Sequence, residues 1–497
     1  MTDLLLINPG ERERIYQGLG VQLTAVEPPL MCRLIAGYVR DRGHRVAIFD
    51  GEAEPRAARA IAEQVRDMRP RLVTLVVFGH QPSASTQQMV GAGVIARAIK
   101  SLCPAQPILL LGGHVAVLPE RALREEAVDF VCNSEGPVTV DRLLTVLASG
   151  DAPDLADVPG LVYRQDGAIR SNLAPPLIRD LDAELHGDVW DLLPMERYRA
   201  HNWQCFGNLA ARRPYASIYT SLGCPYRCSF CCINAPFGTN RYRMRSAEAV
   251  VDEIVRLHDR YAVKTFKIID EMFVLNDRHV LGICDRLAER KLDLNIWAYA
   301  RVDTIRPEIL PRMARGGIRW LALGIESASA YVRDGADKVF SNQDIIEAVR
   351  SIQATGINVI GNYIFGLPDD DRASMRQTLD LAIELNCEFA NFYCAMAYPG
   401  SPLYARAVAE GWRLPEQWSG YSQHSVDCRP LDTKHVSAAD VLAFRDRAFD
   451  TYFTNPRYLD MLEAKFGAAT RTHVVEMTRT KLRRELLESR VLESAGA

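Results

Sequence analysis

The segment Ser221-Leu-Gly-Cys224-Pro-Tyr-Arg-Cys228-Ser-Phe-Cys231-Cys232 places three thiols at C-x3-C-x2-C spacing. Thiolates gathered in one short loop are soft ligands, suited to zinc or to iron–sulfur centres. Zinc would want a fourth Cys or His at a regular interval, and none follows nearby. A disulfide is disfavoured in a reducing compartment. Chance clustering among the 12 cysteines is the remaining alternative. Three thiolates can ligate three irons of a [4Fe–4S] cluster, leaving one iron open to another ligand. Cys232, beside a ligand, reads as a buried thiol outside the set, and the other cysteines have no ligand spacing.

The loop must be held by a framework. It follows the first of six strand-like runs: Tyr215–Leu222, Thr265–Asp270, Leu294–Ala300, Arg319–Glu326, Asn358–Phe365 and Glu388–Cys394. Helical patterns intervene at Ser246–Tyr261, Asp277–Arg290, Pro307–Arg315, Asn342–Thr355 and Asp370–Leu385. Six β/α units predict a partial (β/α)6 barrel of the TIM type, with the thiols at the carboxyl end of a strand, where active sites collect. Residues 1–150 alternate in the same way. Apolar runs at Asp3–Asn8, Arg45–Asp50, Leu72–Gly79, Pro107–Gly112 and Asp129–Cys132 alternate with helical segments, which predicts a flavodoxin-like (Rossmann-type) α/β sheet. Its strand ends carry Asn8, His80, Gln81, Ser83, Gly112, Gly113, His114, Glu135 and Gly136, the positions where such a sheet meets its ligand. Ordinary turns would use the same residue types. Residues 151–213 read as a linker with a β-hairpin turning at Asp166-Gly167. The partial barrel spans 214–405, and 406–497 form a helical C-terminal region ending in a solvated helix from about His473 to Arg490.

The loop resembles that of the radical SAM superfamily, with Phe230 as the aromatic of its C-x3-C-x-aromatic-C pattern. The resemblance implies that Cys224, Cys228 and Cys231 hold the cluster and that its open iron binds S-adenosyl-L-methionine, cleaved to a 5′-deoxyadenosyl radical. Four strand ends resemble nucleotide contacts of that family. Asp270 or Glu271 would meet the amino group and Arg301 the methionine carboxylate. Glu326, in Glu326-Ser327, would accept the ribose hydroxyls. Asn362 to Gly366 would pack on the adenine. Barrel packing or ion pairing is the alternative for each.

An α/β domain before such a barrel resembles the cobalamin-binding (B12) subgroup. Leu110-Leu-Gly-Gly113-His114, Leu118-Pro119-Glu120, Asn133-Ser-Glu-Gly136 and Tyr398-Pro-Gly-Ser-Pro402 match its recurring segments. The Asp-x-His-x-x-Gly motif that supplies a lower axial imidazole elsewhere is absent, and His44, His80 and His114 do not fit it. The resemblance implies a cobalamin-dependent radical SAM methyltransferase. Methylcobalamin and the deoxyadenosyl radical would together methylate an unactivated carbon, or a phosphinate phosphorus, of a small-molecule substrate. A radical oxidative cyclase or ring-rearrangement enzyme is the second possibility; a non-catalytic cobalamin- or cluster-binding regulator is the third. An electron donor such as flavodoxin or ferredoxin is implied as partner.

Composition agrees with small-molecule chemistry. The 497 residues are 48% hydrophobic and 24% charged with net charge −3, which excludes a disordered chain and disfavours a nucleic-acid partner. No run approaches the ~18 apolar residues of a membrane helix. The N-terminus lacks the basic region of a signal peptide, so a cytoplasmic location is expected. Trp418, Tyr421 and Tyr452 are candidates to line a cavity closed by the C-terminal helices, with plain packing as the alternative.

Overall fold

The structure is a computed structural model that describes residues 2–79, 84–149 and 154–489. The expected positions His80, Gln81 and Ser83 lie outside the described residues. The first sheet has seven strands: β1 Leu4–Asn8, β2 Val46–Asp50, β3 Leu72–Val76, β4 Ile108–Leu111, β5 Phe130–Cys132, β6 Leu161–Gln165 and β7 Ala168–Ser171. Their spatial order is β2-β1-β3-β4-β5-β6-β7, and the first five are parallel. β1 is buried along its whole length, as a parallel strand covered on both faces should be. Leu4 and Leu6 enter one core layer, Leu5 and Ile7 the other. The hairpin expected within a linker is continuous with this sheet: β6 pairs antiparallel with β5, and β7 with β6.

The second sheet has six parallel strands: β8 Tyr215–Ile218, β11 Thr265–Ile268, β12 Asn295–Arg301, β13 Ile318–Glu326, β14 Asn358–Phe365 and β15 Phe389–Cys394. They run in the order β15-β14-β13-β12-β11-β8, and β8 does not pair with β15, so the barrel is open. Aromatic rings fill its interior near the amino ends of the strands, with Trp203 5.2 Å from Trp297, 5.4 Å from Trp320 and 5.8 Å from Phe389. One expected strand is divided. Tyr215–Leu222 leaves the sheet after Ile218, and β9 (Ser221–Leu222) instead forms an antiparallel ribbon with β10 (Arg243–Met244). The cause is Asp270, whose carboxylate accepts the Thr220 N–H (2.6 Å) and the hydroxyls of Thr220 and Ser221.

Buried charge pairs join the two sheets. Glu27, before the helix Leu30–Arg40, meets Lys267 of β11 at 3.0 Å. Arg33 of that helix meets Glu253 of the helix Ala247–Tyr261, which also takes Arg245. Each of these side chains is about 1–2% exposed, and removing Glu253 would deprive two buried guanidiniums of their shared carboxylate. The chain's last segment differs from expectation. The helix Ala468–Met477 ends early, and Arg484 is buried, paired to Asp446 at 3.0 Å and donating to the carbonyls of Gln423 and Ser425. The continuous helix expected from His473 is therefore interrupted over 478–484, with helical turns again at 485–489: the Arg484 guanidinium draws the chain inward.

Candidate functional site

Beyond β9, Gly223 lets the cysteine loop begin. Its φ is +84°, and a Cβ there would lie 2.1 Å from the Arg241 carbonyl oxygen, so only glycine fits. Asn234 clasps the loop from both sides, accepting the Cys224 N–H (3.1 Å) and donating to the Cys224 carbonyl (2.8 Å). The Cys231 N–H returns to the Cys228 carbonyl, and Ser229 is bonded through its backbone to Ala336 and Leu403. The three thiols thus face one cavity, of about 1550 Å³ with its open mouth. Among the described residues no three His, Cys, Asp or Glu side chains converge on a point fit for a single metal ion. A cubane spreads its three protein ligands over three separate irons, so a mononuclear cage is not what it needs. Burial pushes the Cys224 thiol up to about 11 and holds Cys231 well above the usual thiol range, so both are neutral without metal and loading would release protons.

Phe230, Glu271, Arg301, Glu326 and Asn362 line the same cavity. The Glu326 carboxylate is bonded to the Lys338 ammonium, which also donates to the Gly324 carbonyl (3.1 Å). Arg301 is bidentate on Asp303 (2.9 and 3.0 Å), stacks 3.8 Å over the Tyr226 ring, and points Nη1 at the Cys228 sulfur from 3.2 Å. Burial opposes its charge, but Asp303 and Cys228 more than offset that and raise its pKa.

A second cavity, of about 750 Å³, lies between the carboxyl ends of the two sheets. Gly79, Ser85, Thr86, Gly113 and His114 line it from the first sheet, and Ser221, Ile269 and Asp270 from the barrel. Next to the lining residue Gly113, Gly112 packs on backbone: a Cβ there would lie 2.1 Å from the Val77 carbonyl oxygen. His114 is held with Nδ1 3.2 Å from the Thr86 hydroxyl, while its buried Nε2 has no hydrogen-bond partner among the described residues. Burial lowers its pKa to about 3, so it is neutral. Cys232, Ile233 and Glu271 line both cavities and form the wall between them. Burial raises Glu271 to about 7, against the pull of Lys267.

Other expected residues stand elsewhere. Asn8 is buried and donates to Asp50 (2.8 Å). Glu135 accepts from Arg243 of β10 (2.7 Å) and from the Ile178 N–H, so it fastens the ribbon to the first sheet. Gly136 packs under Leu111. Ser327 is buried against Thr378, and Gly366 donates its N–H to Asp370. Asp270 faces the second cavity rather than the thiols and is spent on shaping the chain, its pKa raised by burial. Of the three aromatic candidates, Trp418 packs edge-on against His114 (4.4 Å), Tyr421 lies 6.2 Å from Tyr398, and Tyr452 is core, donating to the Cys387 carbonyl. None lines either cavity. Residues not foreseen do so: Tyr16, Tyr226, Tyr299, Lys338, Tyr393 and His424 line the thiol-rimmed cavity. Lys338 follows Glu326 by twelve residues with Arg333 between them, so spacing did not single it out.

Two family models match this chain: the Radical SAM superfamily over residues 218–382 and the B12 binding domain over residues 16–144. It is 30% identical to the uncharacterized methyltransferase PH0819 of Pyrococcus horikoshii, over 92% of this chain and 93% of that protein. It is 27% identical to the anaerobic magnesium-protoporphyrin IX monomethyl ester cyclase of Synechocystis sp., over 70% of this chain and 66% of that one. Its fold matches the radical S-adenosylmethionine methyltransferase TsrM of Kitasatospora setae, a structure with cobalamin and a [4Fe–4S] cluster bound, at TM-score 0.67 and 19% identity, covering 92% of this chain and 90% of that one. With a B12-type sheet ahead of a thiol-bearing open barrel, this chain belongs to the cobalamin-binding branch of the radical SAM superfamily.

Proposed function

We propose that this chain is a cobalamin-dependent radical SAM methyltransferase acting on a small molecule. The carrying observation is that two cavities, one rimmed by three thiols and one by the first sheet's strand ends, share a wall of Cys232, Ile233 and Glu271. Cys224, Cys228 and Cys231 are the cluster ligands in this reading, and Gly113 and His114 meet the corrin. The residues present fit these groups: one loop offers three soft donors, and the other cavity offers glycine-lined backbone with a buried imidazole nitrogen that has no partner among the described residues. When bound, the cofactors supply an electron, a hydrogen-abstracting radical and an activated methyl group.

The chain's own work is positioning and exclusion of water. Glu326, bonded to Lys338, would accept the ribose hydroxyls. Phe230 packs with the cluster of Ile364 and Leu367 and fixes the loop's far side. Asn362, held by Asn391 (2.9 Å) and the Leu323 carbonyl, keeps an amide at the adenine edge. No helix among the described residues is long and apolar enough to cross a membrane. Twelve free thiols suit a reducing, cytoplasmic setting and a flavodoxin or ferredoxin as donor.

Anaerobic turnover with S-adenosyl-L-methionine tests the reading. Methylation gives a product heavier by CH2, with one S-adenosylhomocysteine and one 5′-deoxyadenosine per turnover. Deoxyadenosine without S-adenosylhomocysteine overturns it in favour of the cyclase chemistry named for the Synechocystis relative.

A further inference from the structure

Arg301 resembles a partner for the methionine carboxylate, but its geometry gives it another task. It ends β12 beneath the cysteine loop and is only 6% exposed. Nε and Nη2 are both taken by the Asp303 carboxylate, so the guanidinium cannot swing without breaking a bidentate pair. Its flat face lies 3.8 Å from the ring of Tyr226, a residue inside the loop between Cys224 and Cys228. The remaining edge, Nη1, lies 3.2 Å from the Cys228 sulfur. One planar cation is thus fixed by a carboxylate, seated on the loop's own aromatic, and aimed at one thiol.

We infer that Arg301 is a positioning residue for the cluster: it donates to the Cys228 sulfur and makes the centre easier to reduce. The inference rests on Cys228 being a cluster ligand. Hydrogen bonds to ligand sulfur and nearby positive charge favour the reduced, more negative centre, and so raise its potential. A lysine could not reproduce the arrangement, because the carboxylate fork, the ring stack and the sulfur contact each use a different part of the guanidinium. Asp303 sets the strength of the effect by offsetting part of the charge.

The test is an EPR-monitored reductive titration of the anaerobically reconstituted full chain without substrate, alongside iron and sulfide analysis. Arg301→Met is expected to keep its iron and sulfide while its one-electron reduction equilibrium shifts at least tenfold against reduction, ~59 mV. Arg301→Lys should fall between it and the wild type. Should Arg301→Met hold no cluster, Arg301→Gln decides: it keeps a polar side chain under the loop but carries no charge, and should shift the midpoint in the same direction as expected for Arg301→Met. A midpoint unmoved in a variant with full iron content overturns the inference. So does a loss confined to S-adenosyl-L-methionine binding, which would return Arg301 to the nucleotide. Failure of the underlying reading looks different: the wild type then takes up no cluster, or Cys228→Ala keeps the same one.

Discussion

The two sheets bring their carboxyl ends to one meeting place but furnish them by different means. The first sheet offers backbone and neutral side chains: Gly79, Gly113, the hydroxyls of Ser85 and Thr86, and a His114 that burial keeps uncharged. The barrel offers charge: Arg301 on Asp303, Lys338 on Glu326, an ionisable Glu271 and three thiols. Recognition on the first side is by shape, and a misplaced methyl group should be enough to spoil it. On the second side it is by charge, so volume-conserving substitutions should be felt wherever they unbalance a pair.

If the two ends are separable, removing one ligand set should leave the other intact. The largest effect is expected for Cys224→Ala, Cys228→Ala or Cys231→Ala. Each should bring iron and sulfide to background and abolish 5′-deoxyadenosine formation, while cobalamin measured by its visible absorbance stays bound. Loss of cobalamin in the same variants would show that the ends are one cooperative site. The converse substitution is Gly112→Ala. Its Cβ would strike the Val77 carbonyl, a backbone atom that cannot rotate away. A cost on the order of 3 kcal/mol is expected, with cobalamin affinity at least tenfold weaker in equilibrium dialysis and iron content unchanged.

The same contrast explains what could be read from the sequence. Both sheets were legible because buried parallel strands are continuous apolar runs, and the cysteine loop because its three spaced thiols sit within eight residues. Polar residues at strand ends were harder. Asn8 and Glu135 have the chemistry of ligand contacts, yet one holds Asp50 and the other Arg243, and nothing in local spacing distinguishes a side chain facing a cavity from one facing a neighbour. Lys338 reaches Glu326 only because Glu326 itself adopts a left-handed backbone (φ +65°) and the short helix Ala330–Asp334 turns the chain back. Tyr16 and His424, 5.8 Å apart at the thiol-rimmed cavity, come from opposite ends of the chain, so only the folded chain brings them together.

The smallest effect expected sits on the shared wall, where the neutral and the charged ends touch. Burial raises Glu271 from 4.5 to about 7, and among the described residues no hydrogen bond steadies its carboxylate. In the cofactor-free chain it is therefore protonated when folded and readily ionised when unfolded between those two values. The unfolded state then binds fewer protons, so stability falls as pH rises from about 4.5 to about 7 and is level above that. Glu271→Gln keeps the volume and cannot ionise. In urea unfolding the wild type should lose about 2 kcal/mol more than the variant between pH 5 and pH 8, with the two alike at pH 5. A difference that does not change with pH would mean that the carboxyl is as well solvated as in the unfolded chain. The wall would then be wet, and the two cavities would be one open cleft rather than two compartments divided by a neutral acid.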